Sequence, residues 1–363
     1  MNSGVVVIGA GSFGAWTAWH LHRAGCKVKL IDAYGPANSR ASSGGESRII
    51  RMGYGARDIY TRWSMEALPQ WKELGSFVPC GALWIAPAGE THALETLRAL
   101  SVCGVLHEPL PADQLRGRFP QFHFPSDCWG IYEPQAGALL ARRSIQTLVE
   151  RMRGEGVAYE QRSFHPAETD SAASYVFACG PWLPKLFPQL LAGKIVPSRQ
   201  EVLFFGAPAG DTRFGPDSMP CWVDLASTFY GIPDLENRGF KIALDKRGPA
   251  MDPDTENRTV CGESIVAARA YLAERIPALA NEPLVESRVC QYENTADSNY
   301  IIDRHPDQPN LWIAGGGSGH GFKHGPCVGR MLKEMILDGR PAEEPFLLRS
   351  KAGVTELATG SSL

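Results

Sequence analysis

Val5-Val6-Val7-Ile8-Gly9-Ala10-Gly11-Ser12-Phe13-Gly14 opens the chain: a short β-branched run, then at once a G-x-G-x-x-G. Residues 15–24 have the composition of a helix stopped by Gly25, and a second apolar run, 28–31, ends at Asp32. Strand, glycine turn, helix, strand and acid, in that order, make a dinucleotide-binding unit. Gly9 permits the tight turn, Gly11 lets the backbone approach a pyrophosphate, and Gly14 lets the helix lie close on the strand. The helix N-terminus then turns free N–H groups and a partial positive charge toward the phosphates. Asp32 stands where a carboxylate accepts from a ribose hydroxyl. An acid there suits an unphosphorylated ribose, hence FAD or NAD rather than NADP.

The bulk numbers narrow the class. A chain of 363 residues is long enough for a large core and two domains. Hydrophobic residues are 44% and charged residues 21%, ordinary for a globular protein. A formal net charge of −3 gives no reason to expect nucleic acid or an anionic membrane as partner. No run of 18 apolar residues exists, so no membrane span is expected. Met1 leads directly into the first strand, and Ser361-Ser362-Leu363 lacks the basic middle residue of a peroxisomal address. The nine cysteines are scattered without a C-x-x-C, so neither a disulfide framework nor a zinc site is expected. The expected location is a reducing cytoplasm, the expected state a monomer or weak oligomer.

Further along, 35–46 is rich in Gly, Ser, Pro and Asn and reads as a loop. Ser47-Arg48-Ile49-Ile50-Arg51 sets two arginines around an apolar pair. Helices are expected over 60–74, 91–101, 111–119, 142–153, 267–275 and 329–337. Strands are expected over 80–85, 129–132, 174–178, 202–205, 221–223, 229–232, 240–244, 289–295, 301–303 and 311–314. Glycines 315, 316, 317, 319 and 321 form a second flexible loop, and the tail from Ala352 is expected to fray. The expected class is mixed α/β. A Rossmann-like nucleotide-binding domain would be discontinuous (1–85, 140–195 and 285–363), with an antiparallel-sheet substrate domain inserted as 86–139 and 196–284.

Taken together, these motifs resemble the monomeric sarcosine oxidase family, FAD-dependent amine oxidases that include N-methyltryptophan, pipecolate and piperideine-carboxylate oxidases. The resemblance runs almost end to end. It is carried by the N-terminal unit, by 42–51, by Tyr132-Glu133-Pro134-Gln135-Ala136-Gly137 and by Cys179-Gly180-Pro181-Trp182. It continues through Tyr230-Gly231-Ile232-Pro233, Gly239-Phe240-Lys241 and Cys290-Gln291-Tyr292-Glu293-Asn294-Thr295, and closes with Gly317-Ser318-Gly319-His320-Gly321-Phe322-Lys323. It implies FAD contacts at Gly9, Gly11, Ser12, Phe13, Gly14, Asp32, Ala33, Ser42, Ser47, Arg48, Gly180, Trp182, Gly319, Gly321, Phe322 and Lys323. Cys290 is similar to the cysteine that forms a thioether to the flavin 8α-methyl in this family, so a covalent FAD is implied.

The resemblance also implies roles in amine oxidation. The flavin takes a hydride equivalent from a carbon bonded to nitrogen; the protein supplies position and electrostatics. Arg51, a planar fork, and Lys323, a point charge, would hold the carboxylate of an amino acid or amine substrate. Lys241 resembles the family's oxygen-activating lysine, where a cation stabilises the first anion made from O2. A lysine within the apolar run 240–244 is otherwise costly to bury unless it lies on the wet face of an edge strand. Tyr230 and His320 would line the substrate cavity, and His320 could set or orient the amine. Asp245 departs from the pattern: sarcosine oxidase has histidine there. A carboxylate at that position would attract a cationic amine or pair with Lys241, and puts sarcosine itself in doubt as substrate. The expected reaction is oxidation of a primary or secondary (N-methyl, cyclic or aromatic) amino acid to an imine, with O2 reduced to H2O2. Two other readings stand beside it: a dehydrogenase passing electrons to another acceptor, and a flavin-binding subunit without turnover.

Overall fold

A computed structural model describes residues 4–170 and 173–354. The end of the tail expected to fray, from residue 355, lies outside the described residues, as does Ser361-Ser362-Leu363.

The opening unit forms as its pattern demands. Val5–Ile8 is the strand, and the helix runs Ser12–Arg23, starting three residues before the expected span. Val5–Ile8 and Val28–Asp32 pair in parallel, as a right-handed crossover helix requires. They sit in a six-stranded sheet ordered Ile301–Arg304, Leu311–Gly315, Ser174–Phe177, Val5–Ile8, Val28–Asp32, Ala158–Gln161. Only the edge strand Ile301–Arg304 is antiparallel. Ser12–Arg23 packs beside the last long helix, Gly325–Leu337, at very close range. A Cβ on Gly329 would lie 2.5 Å from the Trp16 backbone, and one on Gly325 2.3 Å from Ser12 Oγ.

A second, eight-stranded sheet is ordered Leu284–Asn294, Val196–Phe205, Phe240–Leu244, Phe229–Ile232, Cys221–Asp224, Ala82–Pro87, Cys128–Glu133, Glu108–Pro111. It is antiparallel except where Cys221–Asp224 meets Ala82–Pro87. Period-two alternation decides its faces. Phe240, Ile242, Leu203 and Phe205 point into a core under the helix Gly262–Arg275. There Trp222 stacks on Tyr271 with ring centroids 5.3 Å apart. Lys241, Ala243, Val202 and Phe204 therefore point the other way, with Phe204 opposite Lys241 in register. Arg48–Ile50, Gly137–Leu139 and Phe77–Val78 form a small third sheet.

Five short strands were not expected from sequence: Arg48–Ile50, Phe77–Val78, Glu108–Pro111, Gly137–Leu139 and Ala158–Gln161. Gly262–Arg275 and Gly325–Leu337 begin several residues early; in the second, Gly325, Pro326 and Gly329 lower helix propensity where Ser12 and Trp16 lie close. The helix Asp58–Glu73 buries Tyr60, Trp63, Leu68 and Trp71 on one face, as its spacing implies. Among the described residues, no helix is long and apolar enough to cross a membrane.

Candidate active site

The glycine turn is a tight cradle. Gly9 has φ +104°, and a Cβ there would lie 2.3 Å from the carbonyl oxygen of Ala178; one on Gly14 would lie 1.8 Å from that of Gly9. Gly14 thus supports the turn from beneath, while Gly9, Gly11, Ser12 and Phe13 line a cleft of about 1270 Å³ including its open mouth. Asp32, Ala33, Ser42, Arg48, Gly180, Trp182, Gly319, Gly321 and Phe322 line the same cleft. The Ser12 N–H donates to Ser43 Oγ at 3.0 Å, and Ser12 Oγ to the Phe322 carbonyl at 2.8 Å, tying the two glycine loops together. Asp32 accepts from the amides of Ala10 (2.7 Å) and Tyr34 (2.8 Å). A carboxylate has about four lone-pair directions, so capacity remains for a ribose hydroxyl. Burial raises the Asp32 pKa, opposed by those backbone N–H groups. The cradle, the anchored acid and the cleft together fit FAD.

Next to the cleft, sharing Ala41, Arg48, Tyr292 and Gly319 as walls, lies a chamber of about 980 Å³. Arg51, Tyr230, Lys241, Asp245, His320 and Lys323 all line it, and so does Cys290. Ser47 lies outside both spaces, buried, and its carbonyl oxygen accepts from Lys241 Nζ at 2.9 Å and Arg48 Nη1 at 2.8 Å. Lys241 is 2% exposed. Burial, and then the nearby Arg48 charge, push its ammonium down to about 7. Arg48 also donates to the Ser42 carbonyl at 2.6 Å and lies 3.6 Å from Cys290 Sγ.

Two further cations of the lining, Arg51 and Lys323, stand on either side of Tyr54. The Arg51 guanidinium sits between the rings of Tyr54 and Trp84, 4.5 and 4.4 Å from their centroids, and donates to the Gly53 carbonyl. Lys323 Nζ donates to Tyr54 Oη at 2.7 Å. Burial lowers the pKa of both, most for Lys323, where the Arg51 charge adds to the effect. Asp245 and Glu133 act on both in the opposite direction. Tyr292 Oη donates to Asp245 Oδ1 at 3.3 Å. Burial pushes the Tyr230 phenol up to about 12, so it stays protonated. Two desolvated cations facing one apolar space are costly alone and favourable once an anion enters.

His320 is held differently from expectation. Its Nε2 faces the Ser298 carbonyl at 2.9 Å, and a carbonyl only accepts, so Nε2 carries the proton. Burial keeps the ring neutral, its pKa well below the usual value. Nδ1 therefore accepts from Tyr300 Oη, 2.8 Å away. That oxygen in turn accepts from His324 Nδ1 at 2.6 Å, and His324 Nε2 accepts from Ser64 Oγ at 2.9 Å. A single proton order thus runs Ser64, His324, Tyr300, His320, Ser298. Both His320 nitrogens are engaged in it, which leaves no lone pair for a substrate proton.

Several residues escaped the sequence reading. Glu133, fully buried, accepts from the amides of Met52 (2.7 Å) and Gly53 (3.1 Å) and from Trp84 Nε1 (2.8 Å), fixing the backbone beside Arg51. It stood in a quoted motif, but nothing local revealed its partners. Tyr54 likewise bridges Arg51 and Lys323 with no local signal. Tyr292 was legible: it lies two residues after Cys290 on one strand and so shares its face.

Comparison with known proteins agrees with the geometry. The model of the FAD dependent oxidoreductase family matches residues 4–335, and the chain belongs to that family. Monomeric sarcosine oxidase of Bacillus sp. (strain B-0618) is 31% identical over 361 residues, covering 93% of this chain and 92% of that protein. N-methyl-L-tryptophan oxidase of Salmonella dublin is 27% identical over 363 residues, covering 93% and 95%. In fold, a modified fructosyl peptide oxidase from Aspergillus nidulans superposes with a TM-score of 0.84 at 20% identity, covering 99% of this chain and 97% of that one. Within the family this chain falls in the monomeric sarcosine oxidase group and is an FAD-dependent amine/amino-acid oxidase.

Proposed function

We propose that the protein oxidises the C–N bond of a primary or secondary amino acid, N-methyl, cyclic or aromatic, to an imine, and reduces O2 to H2O2. The observation that carries this reading is one chamber beside the FAD cleft whose lining brings Arg51, Lys323 and Lys241 together. FAD, when bound, supplies the two-electron oxidation of the carbon next to nitrogen. The substrate carboxylate sits in the fork of Arg51 and against Lys323, which aims the amine end toward Asp245 and Tyr292. Ile49, Val202, Phe204 and Val223 give the chamber apolar walls suited to an apolar side chain. Tyr230 closes one side as a neutral phenol. The Lys241 ammonium stabilises the negative charge that appears as O2 is reduced. Cys290 carries FAD through a thioether. His320 serves as a fixed neutral wall.

The division into an FAD-binding part (1–85, 140–195, 285–363) and a substrate part (86–139, 196–284) belongs to the same proposal. Two strands at its borders, Ala82–Pro87 and Leu284–Asn294, pair within the eight-stranded sheet. A monomer acting in the cytoplasm on a small molecule completes the reading.

One observation favours the dehydrogenase alternative: Lys241 already spends a hydrogen bond on the Ser47 carbonyl, as a structural lysine would. A peroxide-coupled screen of N-methyl, cyclic and aromatic amino acids tests the proposal. Substrate-dependent bleaching of the flavin without oxygen uptake in air would replace the oxidase by the dehydrogenase.

A further inference from the structure

Behind Lys241 lies a third cavity, of about 730 Å³, outside both the cleft and the chamber. Its outer residues, Arg143, Gln146, Glu236 and Arg238, are exposed, while its inner ones, Ser47, Phe204 and Lys241, are buried. Leu140, Pro233 and Leu235 add apolar side chains to a lining that is otherwise largely charged and polar. It meets the chamber only at Glu46, Phe204 and Lys241. Lys241 is thus presented to two spaces at once, one holding the substrate residues and one opening to solvent. Resting on the oxidase reading, we propose that this cavity is the route by which dioxygen reaches Lys241 and hydrogen peroxide leaves.

Three features support the assignment. The chamber must hold the reacting ring and an amino acid together, so a gas reaching Lys241 through it would wait for product to depart. A separate way in removes that order. Second, the arginines at the mouth are engaged by carboxylates. Arg143 binds Glu236 through both of its terminal nitrogens, at 2.7 and 2.8 Å. Arg238 meets Glu286 at 2.9 Å and Arg142 meets Glu46 at 2.9 Å. Ion-paired rims hold no strong site for an amino-acid carboxylate, yet a small uncharged molecule passes them freely. Third, the inner end is the one buried ammonium that the proposed reaction needs at the oxygen. There the two electrons left by amine oxidation, with two protons, convert one O2 to one H2O2. The charge first placed on oxygen arises beside Lys241.

Two narrowing variants test this, Gln146→Trp at the mouth and Leu140→Phe further in, neither part of the chamber. Flavin content and melting temperature show whether each folds. In wild-type crystals under xenon pressure, with xenon standing in for O2, density should lie between Leu140 and Lys241, and it should be lost in the variants. In stopped flow, the oxygen reaction of the reduced variants should slow on the order of tenfold, with anaerobic reduction by substrate unchanged. Xenon found only in the substrate chamber, or an unchanged oxygen reaction in both variants, overturns the route. Failure of the oxidase reading looks different: the reduced wild-type enzyme would then be inert to oxygen, and the route would fall with it.

Discussion

The Lys241 ammonium donates to the backbone carbonyl of Ser47 at 2.9 Å, linking a strand of the eight-stranded sheet to the residue just before the strand Arg48–Ile50. The same oxygen accepts from Arg48 Nη1 at 2.8 Å, so two positive groups converge on one acceptor. Desolvation and that neighbouring charge leave the ammonium titrating at about 7, where an ordinary lysine would stay charged.

If the charge on Lys241 accelerates reoxidation, the sign of the pH dependence follows. The cation is present below about 7 and lost as pH rises through it. Reoxidation of reduced enzyme should therefore be fast at low pH and decline across neutrality. Lys241→Met should be slower by roughly 10²–10³, the usual cost of one preorganised charge-stabilising donor, and should lose the pH step. Stopped-flow traces of both half-reactions decide this. Equal slowing of reduction and reoxidation would make the lysine structural.

Lys323→Met should raise the apparent substrate constant on the order of tenfold by removing a charge-assisted bond to the carboxylate. It also frees the Tyr54 hydroxyl, so Tyr54→Phe is the control that separates the two effects. Steady-state kinetics with the best substrate and with its methyl ester provides the measurement. Lys323 leaves the site if acid and ester lose affinity equally.

Acid-precipitated wild-type protein should keep its yellow colour in the pellet, and Cys290→Ser should release it to the supernatant. Colour in the supernatant from wild type would mean that FAD is held by the cleft alone.

Glu133→Gln replaces a two-oxygen acceptor of three N–H groups by one oxygen and an NH2 that opposes donors. Leaving a buried donor unmatched costs about 1–3 kcal/mol, so denaturant unfolding should shift by that amount. Arg51 also loses a negative charge that favours its cationic form, so the substrate constant should rise too. A stability loss with unchanged substrate affinity would confine Glu133 to scaffolding.

The parts of this architecture that were legible had local causes. The opening strand, turn, helix and acid are contiguous, and glycine sterics at residues 9 and 14 leave little choice. Lys241 stood out because it interrupts an apolar run, and strand periodicity then fixes the face it takes. The rest depended on contacts far apart in sequence. Ala158–Gln161 is a half-exposed edge strand whose pairing with Val28–Asp32 supplies what its polar residues do not announce. Glu133 gathers donors from residues 52, 53 and 84, and no spacing rule connects those positions. His320 was recognisable as a wall of the chamber, but its role turns on Tyr300, Ser298 and a second histidine, a proton order visible only in three dimensions.

The tie between Ser12 Oγ and the Phe322 carbonyl spans 310 residues, and Gly325 and Gly329 seal it by lying against Ser12 and Trp16. During synthesis the opening turn emerges about 310 residues before the partner that closes its cleft. A nascent chain that has not reached the second glycine loop has phosphate-facing amides but lacks Gly319, Gly321 and Phe322 on the far side of the cleft. Cofactor loading thus becomes a late checkpoint: a protein truncated before Gly317 should fail to retain flavin however well its first strands fold. FAD occupancy then reports on whether translation reached the end of the fold.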